Sequence, residues 1–404
     1  MLTYKFVARD PATKQRVVSE VQAENEKAAA KAIKDQGYAP LEITPAGSES
    51  ILGGLTNRIR SKDKVIFSRQ MSTLINAGLP LVQSLRNVEN QTSSKAFKVI
   101  IQKVIADVEA GSAFHEALAR YPNVFNNVYT SLVEAGEASG TLDKALERLA
   151  NQQEKDAEIL SKVRGALIYP LLVILVMIAV VTFMIVVVLP HVQEIYKDIP
   201  GARLPLLTIV LLAISNFISH FWWLVIIMLG VGGFFSTRWA RSGPGKEVVD
   251  KFKMRAWPIG RLFMKLYMAR FARTAETLVA SGVPLLQVMS IVADSVNNIH
   301  IKRSVMAAAE KVKGGKALSE TLEGDPNFLV LVPNMIRIGE QSGALESMLG
   351  KTADYYEREV DNEIRAISTI IEPVLMIMLG IMALIIVAAV LLPIYGLAGK
   401  QIVR

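Results

Sequence analysis

A chain of 404 residues is long enough for two or three domains with cores of their own. Its 51% hydrophobic share and mean hydropathy of +0.33 exclude an ordinary soluble domain, and the excess sits in three uncharged blocks, which makes it a membrane protein. No cysteine occurs, so disulfides and thiolate metal sites are excluded; the net charge of +8 gathers largely behind one apolar block and calls for no nucleic acid.

From the start, Met1–Phe6 lacks a basic stretch followed by a long apolar run, so the N-terminus is expected to stay in the cytoplasm. Residues 1–46 read as a small α/β appendage: strands at Tyr4–Ala8, Arg16–Val21 and Leu41–Ile43, and a helix at Asn25–Gln36 stopped by Gly37. A Gly- and Ser-bearing linker follows over 47–61. From 62 to 164 the pattern is helical, broken at Gly78–Pro80, Gln91–Ser94, Gly111, Tyr121–Pro122 and Gly136–Gly140, which gives about six helices.

The apolar blocks come next. Residues 165–190 form a first transmembrane helix, since about 20 apolar residues cross the hydrocarbon core. A short external loop, 191–203, leads to a second span over 204–237. That block is too long for one crossing and too short for two, so its ends are expected in the interface, with Trp222 and Trp223 as anchors. A basic juxtamembrane segment, 238–265, carries Arg238, Arg241, Lys246, Lys251, Lys253 and Arg255. A second helical segment (266–367), a third span (368–393) and an external tail (394–404) complete the chain. The lysine and arginine asymmetry of the flanks places the helical segments in the cytoplasm and the C-terminus outside.

The two helical segments repeat each other. Phe67, Arg69, Thr73, Gly78, Pro80 and Gln83 recur as Phe271, Arg273, Thr277, Gly282, Pro284 and Gln287, an offset of 204. After one deletion the offset is 203, and Gly136-Glu137-Ala-Ser139-Gly140 matches Gly339-Glu340-Gln-Ser342-Gly343. Pro170 matches Pro373. The middle span has no counterpart; it returns the chain to the cytoplasm so that the second unit can begin there. The fold class is therefore mainly α: two repeated cytoplasmic six-helix bundles, three transmembrane helices and the α/β appendage.

Candidate functional positions follow from the repeat. Gly78 and Pro80, with Gly282 and Pro284, have the chemistry of an αα-hairpin turn, favoured here over a partner surface. The glycines of the Gly-Glu-x-Ser-Gly segments, ending at Gly140 and Gly343, are read as helix stops, with Ser or Thr capping the next helix. Glu137 and Glu340 are read as amide caps or solvated turn residues in preference to contacts with a basic partner. Asp354/Arg358 and Asp361/Arg365, four apart with the acid first, support a helix. Pro170 and Pro373 stand where each bundle meets its span, and Glu372 puts a carboxylate beside the second proline, a residue type that is costly at membrane depth. No phosphate loop, Gly-x-Ser-x-Gly elbow or histidine pair at metal spacing occurs, so no enzyme, cofactor or metal is assigned.

The Ala8-Arg-Asp10 region, both Gly-x-Pro-Leu and both Gly-Glu-x-Ser-Gly segments, Glu357–Asn362 leading into Ile371-Glu-Pro373, and Leu392-Pro-Ile-Tyr395 together resemble the type II secretion F family. These are inner-membrane platform proteins of type IV pili and type II secretion systems. The resemblance implies six-helix cytoplasmic bundles, coupling of a hexameric cytoplasmic ATPase to insertion or extraction of pilin or pseudopilin helices, other inner-membrane assembly proteins as partners, and a homo-oligomer in the bilayer. Glu-Val-Asp-Asn and Leu-Pro-Ile-Tyr favour the pilus branch. Some relatives hold a divalent cation on acidic residues of the first bundle; of those positions only Glu147 is acidic here, beside Asn151 and Ser93. A transporter or channel is a competing class, which would use Asn216, His220 and Glu372 as facing polar groups. A sensor is a weaker one, since about 13 external residues make no binding domain.

Overall fold

The computed structural model describes residues 2–9, 16–23, 39–45, 59–191, 194, 206–257 and 259–401, with Ala28, Ala30 and Ala32. Three strands, β1 (Leu2–Arg9), β2 (Arg16–Ala23) and β3 (Ala39–Pro45), form an antiparallel sheet in the order β2-β1-β3. Phe6 pairs with Ser19 on one side and Ile43 on the other, and the β1–β3 register slips between Val7 and Ala8, a bulge. Each strand is longer than the sequence pattern indicates, because ladder bonding extends past the alternating residues. The expected helix over Asn25–Gln36 lies outside the described residues apart from the three alanines, which are helical. The linker up to residue 58 and most of the 191–203 loop also lie outside them.

The rest is helical. The first unit contains α1 (Ser61–Asn76), α2 (Leu81–Gln91), α3 (Lys95–Glu109), α4 (Phe114–Ala119), α5 (Asn127–Ser139) and α6 (Leu142–Phe183). The chain then forms α7 (Leu206–Arg241) and α8 (Gly243–Arg255). The second unit contains α9 (Gly260–Ala280), α10 (Leu285–Ser295), α11 (Ile299–Lys313), α12 (Leu318–Leu322), α13 (Leu331–Ser342) and α14 (Leu345–Gln401). The 238–265 segment, read from sequence as basic flank, folds in part as α8 and packs on the second unit through its buried Asp250.

One apolar cluster runs through both units. In the first, Phe67 meets Phe97 at 5.4 Å and Phe125 at 5.6 Å, ring centre to ring centre, and Tyr129 closes the stack 5.1 Å from Phe125. In the second, the repeat-equivalent pair Phe271 and Phe328 sits edge to face at 5.2 Å, while buried Ile301 takes the place of Phe97. Tyr129 is buried, its hydroxyl accepts from Ser68 at 3.3 Å, and burial pushes its phenol well above the usual range.

Neither unit ends before its apolar block. α6 runs unbroken through Pro170, and α14 through Pro373, so the expected boundary between bundle and span is absent from the backbone. An interior proline removes one hydrogen bond, but the helix on either side is long enough to hold its course. These are the two helices, among the described residues, long and apolar enough to cross a membrane. The third expected crossing falls on α7, whose 36 residues are interrupted by non-helical backbone at Phe221 (φ −115°, ψ 26°). α6 continues directly into a π-helical turn at Met184–Val188, and Ser215 of α7 donates its hydroxyl to the Ile185 carbonyl at 2.6 Å. Met184, Leu189, Leu212 and Ala389 bury one another there, joining α6, α7 and α14.

Candidate functional site

The backbone repeats with the sequence. Gly78 and Gly282 adopt φ of 80° and 78°, and Gly140 and Gly343 adopt 69° and 66°, left-handed values that a side chain disfavours. Pro80 and Pro284 sit one position before α2 and α10 rather than in their first turns. Their carbonyls accept the first helical amides, from Ser84 and Val288, each at 2.9 Å.

In the Gly-Glu-x-Ser-Gly segments only the second glycine ends a helix. The first, Gly136 or Gly339, is inside α5 or α13, where a Cβ would overlap Ala145 and Leu142 in one unit and Leu345 in the other. It lets the following helix pack close. The expected cap by the next hydroxyl is also absent: Thr141 caps nothing, and Ser139 instead bonds the Ala135 carbonyl (2.6 Å) and the Thr141 hydroxyl (2.7 Å). Ala344 stands where Thr141 does, so a hydroxyl cap is not a feature of the repeat.

The carboxylates of the motif cap a different helix. Glu137 accepts the Phe114 and His115 amides at 2.8 and 2.9 Å and bonds His115 Nδ1 at 2.6 Å. Glu340 accepts the Leu318 amide at 2.6 Å, the Ser319 amide at 3.2 Å and the Ser319 hydroxyl at 2.5 Å. α4 and α12 are too short to be stable alone, and an anion across their free amides supplies what their own sequences lack. The sequence reading left amide cap and solvated turn open and named no helix to be capped, because α4 and α12 lie about 20 residues upstream.

A second repeated device was not foreseen. Arg69 forks onto Glu154 at 2.6 and 2.5 Å and reaches Asn151 at 2.6 Å. Arg273 reaches Glu357 at 2.8 Å and Asp354 at 2.5 Å. The four partners obey the 203 offset, which is the signal that pairs them. Arg69 and Arg273 thus tie the first helix of each unit to the last. Burial works against the charge of Arg273, yet its bonds to Glu357 and Asp354 outweigh that and hold the guanidinium above its usual range. The hydrogen bond from Arg69 keeps the Glu154 carboxyl below its usual range.

The expected Asp354/Arg358 and Asp361/Arg365 pairs do not form. Asp354 is taken by Arg273 and Asp361 by Lys162 of the other unit at 2.5 Å; Arg358 bonds the Asp354 carbonyl instead. An exposed i,i+4 pair is worth only a few tenths of a kcal/mol, ~0.3–0.5, so a tertiary partner displaces it. The Lys162–Asp361 bond belongs to a seam in which α6 faces α9 and α14. Gln152 donates to Thr274 at 3.1 Å, Arg148 to Ser281 at 3.2 Å, and Asp156 stands 3.7 Å from Arg270. Towards the membrane the seam turns apolar, with Ile159 and Val163 against Leu262, Val360 and Ile364. Two open clefts of about 290 and 380 Å³ flank its polar part, and Gln152 Oε1, Arg270 Nε and Asp361 Oδ1 are buried in it without hydrogen-bond partners among the described residues.

The candidate residues do not converge on one pocket. Gly140 and Gly343 stand just before α6 and α14, roughly 35 Å along the helix from the apolar segments, and the two Glu caps lie at that end. Glu372 and Pro373 lie at the other end; Glu372 is exposed and makes no ion pair among the described residues, while Tyr169 stands exposed at the equivalent place. Where α6, α7 and α14 meet, Val181, Met184, Leu211, Met378, Ile385 and Ala389 line an apolar cleft of about 300 Å³. No group of three or more His, Asp or Glu side chains spaced to hold a metal occurs among the described residues.

The family model described as type II secretion system (T2SS), protein F matches the sequence twice, over residues 67–190 and 271–393. The chain is 38% identical to the Type IV pilus assembly protein PilC of Thermus thermophilus, with both chains covered completely. It is 34% identical to the Type IV pilus assembly protein TapC of Aeromonas hydrophila, over 95% of this chain and 92% of that one. It is also 32% identical to the Type II secretion system protein F of Pseudomonas aeruginosa, over 98% and 99%. The doubled match falls on the two structural repeats, each running from its first helix into an apolar membrane segment, and the chain belongs to the type II secretion system protein F family.

Proposed function

We propose that this chain is the non-enzymatic inner-membrane platform of a type IV pilus assembly machine, coupling a cytoplasmic ATPase to insertion or extraction of pilin. The observation that carries this reading is the unbroken course of α6 and α14 from a helical unit into a membrane-length apolar segment, in a chain similar over its whole length to a pilus assembly protein. A rigid helix transmits a push or rotation applied to its cytoplasmic part. The bundles (62–164 and 266–367) would meet the ATPase with their membrane-distal ends, where the Glu-capped turns lie. The spans, α7 included, would offer the apolar cleft to a moving pilin helix. Three crossings leave the N-terminus inside and the C-terminus outside.

Topology is tested by fusions: a periplasm-active reporter after Ile195 or Arg404 is expected to be active, and one after Lys265 silent. Function is tested by deletion and complementation, with loss of surface filaments expected and co-purification of the ATPase through the cytoplasmic bundles. Intrinsic ATP turnover abolished by a point mutation in this chain would overturn the non-enzymatic reading. The second reading, a type II secretion platform, is favoured by the P. aeruginosa similarity and predicts loss of a secreted protein instead of filaments. A transporter is disfavoured by the apolar lining of the cleft between the spans.

A further inference from the structure

α8 has two unlike faces. One grips the second unit: Asp250 accepts the Ile299 amide at 3.1 Å at the start of α11, Glu247 pairs with Arg303 at 2.6 Å, and the Glu247 carbonyl meets His300 Nε2 at 3.1 Å. The exposed side next to it carries Val248 (55% exposed), Lys251, Phe252 (66%) and Arg255 at i, i+3, i+4 and i+7, and just past it stands Trp257 at 83%. Two large apolar side chains and a tryptophan beside lysine and arginine have the composition of a helix that lies in a membrane surface.

Two independent features argue for this face at that depth. α8 begins after a single residue, Ser242, beyond α7, and Gly245 admits the Trp239 backbone so closely that a Cβ would overlap it. Separately, Leu262 in the first turn of α9 packs on Val360 and Ile364 of α14, within two turns of Ala366, after which Glu372 is the one charge before Lys400. Trp257 stands five residues before Leu262, next to Ala256, whose carbonyl accepts the Gly260 amide at 2.6 Å.

We propose that α8 lies in the cytoplasmic leaflet, with Val248, Phe252 and Trp257 at the acyl boundary and Lys251 and Arg255 paired with anionic lipid phosphates. The second unit is thereby strapped to the membrane surface as well as hung from its span. This rests on α7 being a crossing.

The cysteine-free chain permits a direct test with the full-length protein in nanodiscs of phosphatidylcholine and phosphatidylglycerol. A nitroxide is placed at Val248→Cys or Phe252→Cys, with Met228→Cys within α7 and Glu310→Cys on α11 as references. Labels at 248 and 252 are expected to collide with oxygen several-fold more often than with a water-soluble nickel chelate, as at 228, with the reverse at 310. Lys251→Glu combined with Arg255→Glu, or omission of phosphatidylglycerol, should lower the oxygen preference at 252. Nickel access at 252 equal to that at 310 overturns the proposal. So does shielding from both reagents, which assigns the face to a protein such as a second copy. An oxygen preference indifferent to phosphatidylglycerol overturns the headgroup pairing. A water-accessible label at 228 would instead remove the α7 crossing itself.

Discussion

Glu137 and Glu340 bridge helices that are distant in sequence, and that gives substitutions there a defined cost. Replacing either with Ala frees two helix amides, and about 1–2 kcal/mol of stability should go, read as a lower melting temperature in detergent. Gln retains an acceptor and should recover about half. If Glu137→Gln left stability intact but abolished filaments, a partner contact would be the better account. At the glycines, Gly339→Ala should cost more than Gly343→Ala: the first forces a Cβ to within 2.9 Å of the Leu345 backbone, about 1–3 kcal/mol, and the second costs about 1. Arg273→Ala strands Glu357, only 14% exposed, and should cost about 2–3 kcal/mol; Arg69→Ala, at a pair about 40% exposed on both sides, less than about 1.

Helices α6 and α14 run unbroken through Pro170 and Pro373, and that sets the surroundings of Glu372. A carboxylate on the exposed face of a continuous helix, beside a proline, has no cap to make, so its role is sought outside the chain. Glu372→Gln is expected to keep expression and reduce filament number; normal filaments in a stably expressed Glu372→Ala strain would retire the idea. Lys265 shows how the lower part of α14 is fixed. Burial opposes its charge, but bonds to Glu359 at 2.8 Å and Glu363 at 2.5 Å hold the ammonium above its usual range, and Glu359 is correspondingly lowered by Lys265. A raised lysine contributes below its ordinary pKa and is lost as pH rises past its folded value; a lowered glutamate contributes above its ordinary pKa and is lost as pH falls through its folded value. The stability difference between wild type and Lys265→Met should therefore be flat between about pH 5 and 10 and shrink below about pH 4. Urea or thermal unfolding across that range checks it.

For the molecule as a whole, the seam between the units is where the proposed machine would move. It contains open clefts and three buried polar atoms without hydrogen-bond partners among the described residues, Gln152 Oε1, Arg270 Nε and Asp361 Oδ1, unlike the apolar packing inside each unit. Polar groups of this kind are costly when fixed and are satisfied by water or by an altered register. Cross-linking Gln152→Cys to Thr274→Cys, positions joined by a 3.1 Å bond, should block filament assembly and release it on reduction. Undiminished assembly with the link in place would show that the units work as one rigid body.

Much of this was written in the chain. The fixed offset between Phe67 and Phe271 announced the two units, the helix breaks lay at the Gly and Pro clusters, and the charge-free blocks located the apolar parts of α6 and α14, because these depend on local conformation and on hydropathy, which neighbouring residues determine. The repeat even held the partners of Arg69 and Arg273, through the common offset of Asn151/Asp354 and Glu154/Glu357. What composition and spacing did not decide was which group satisfies which. Asp354 and Asp361 turned from their i+4 arginines to partners on other helices, Glu137 and Glu340 capped helices upstream of their own, and a basic flank folded as α8 against Ile299. Only the tertiary structure settles such choices, since a weak local pair yields to any better-placed charge that packing brings within reach.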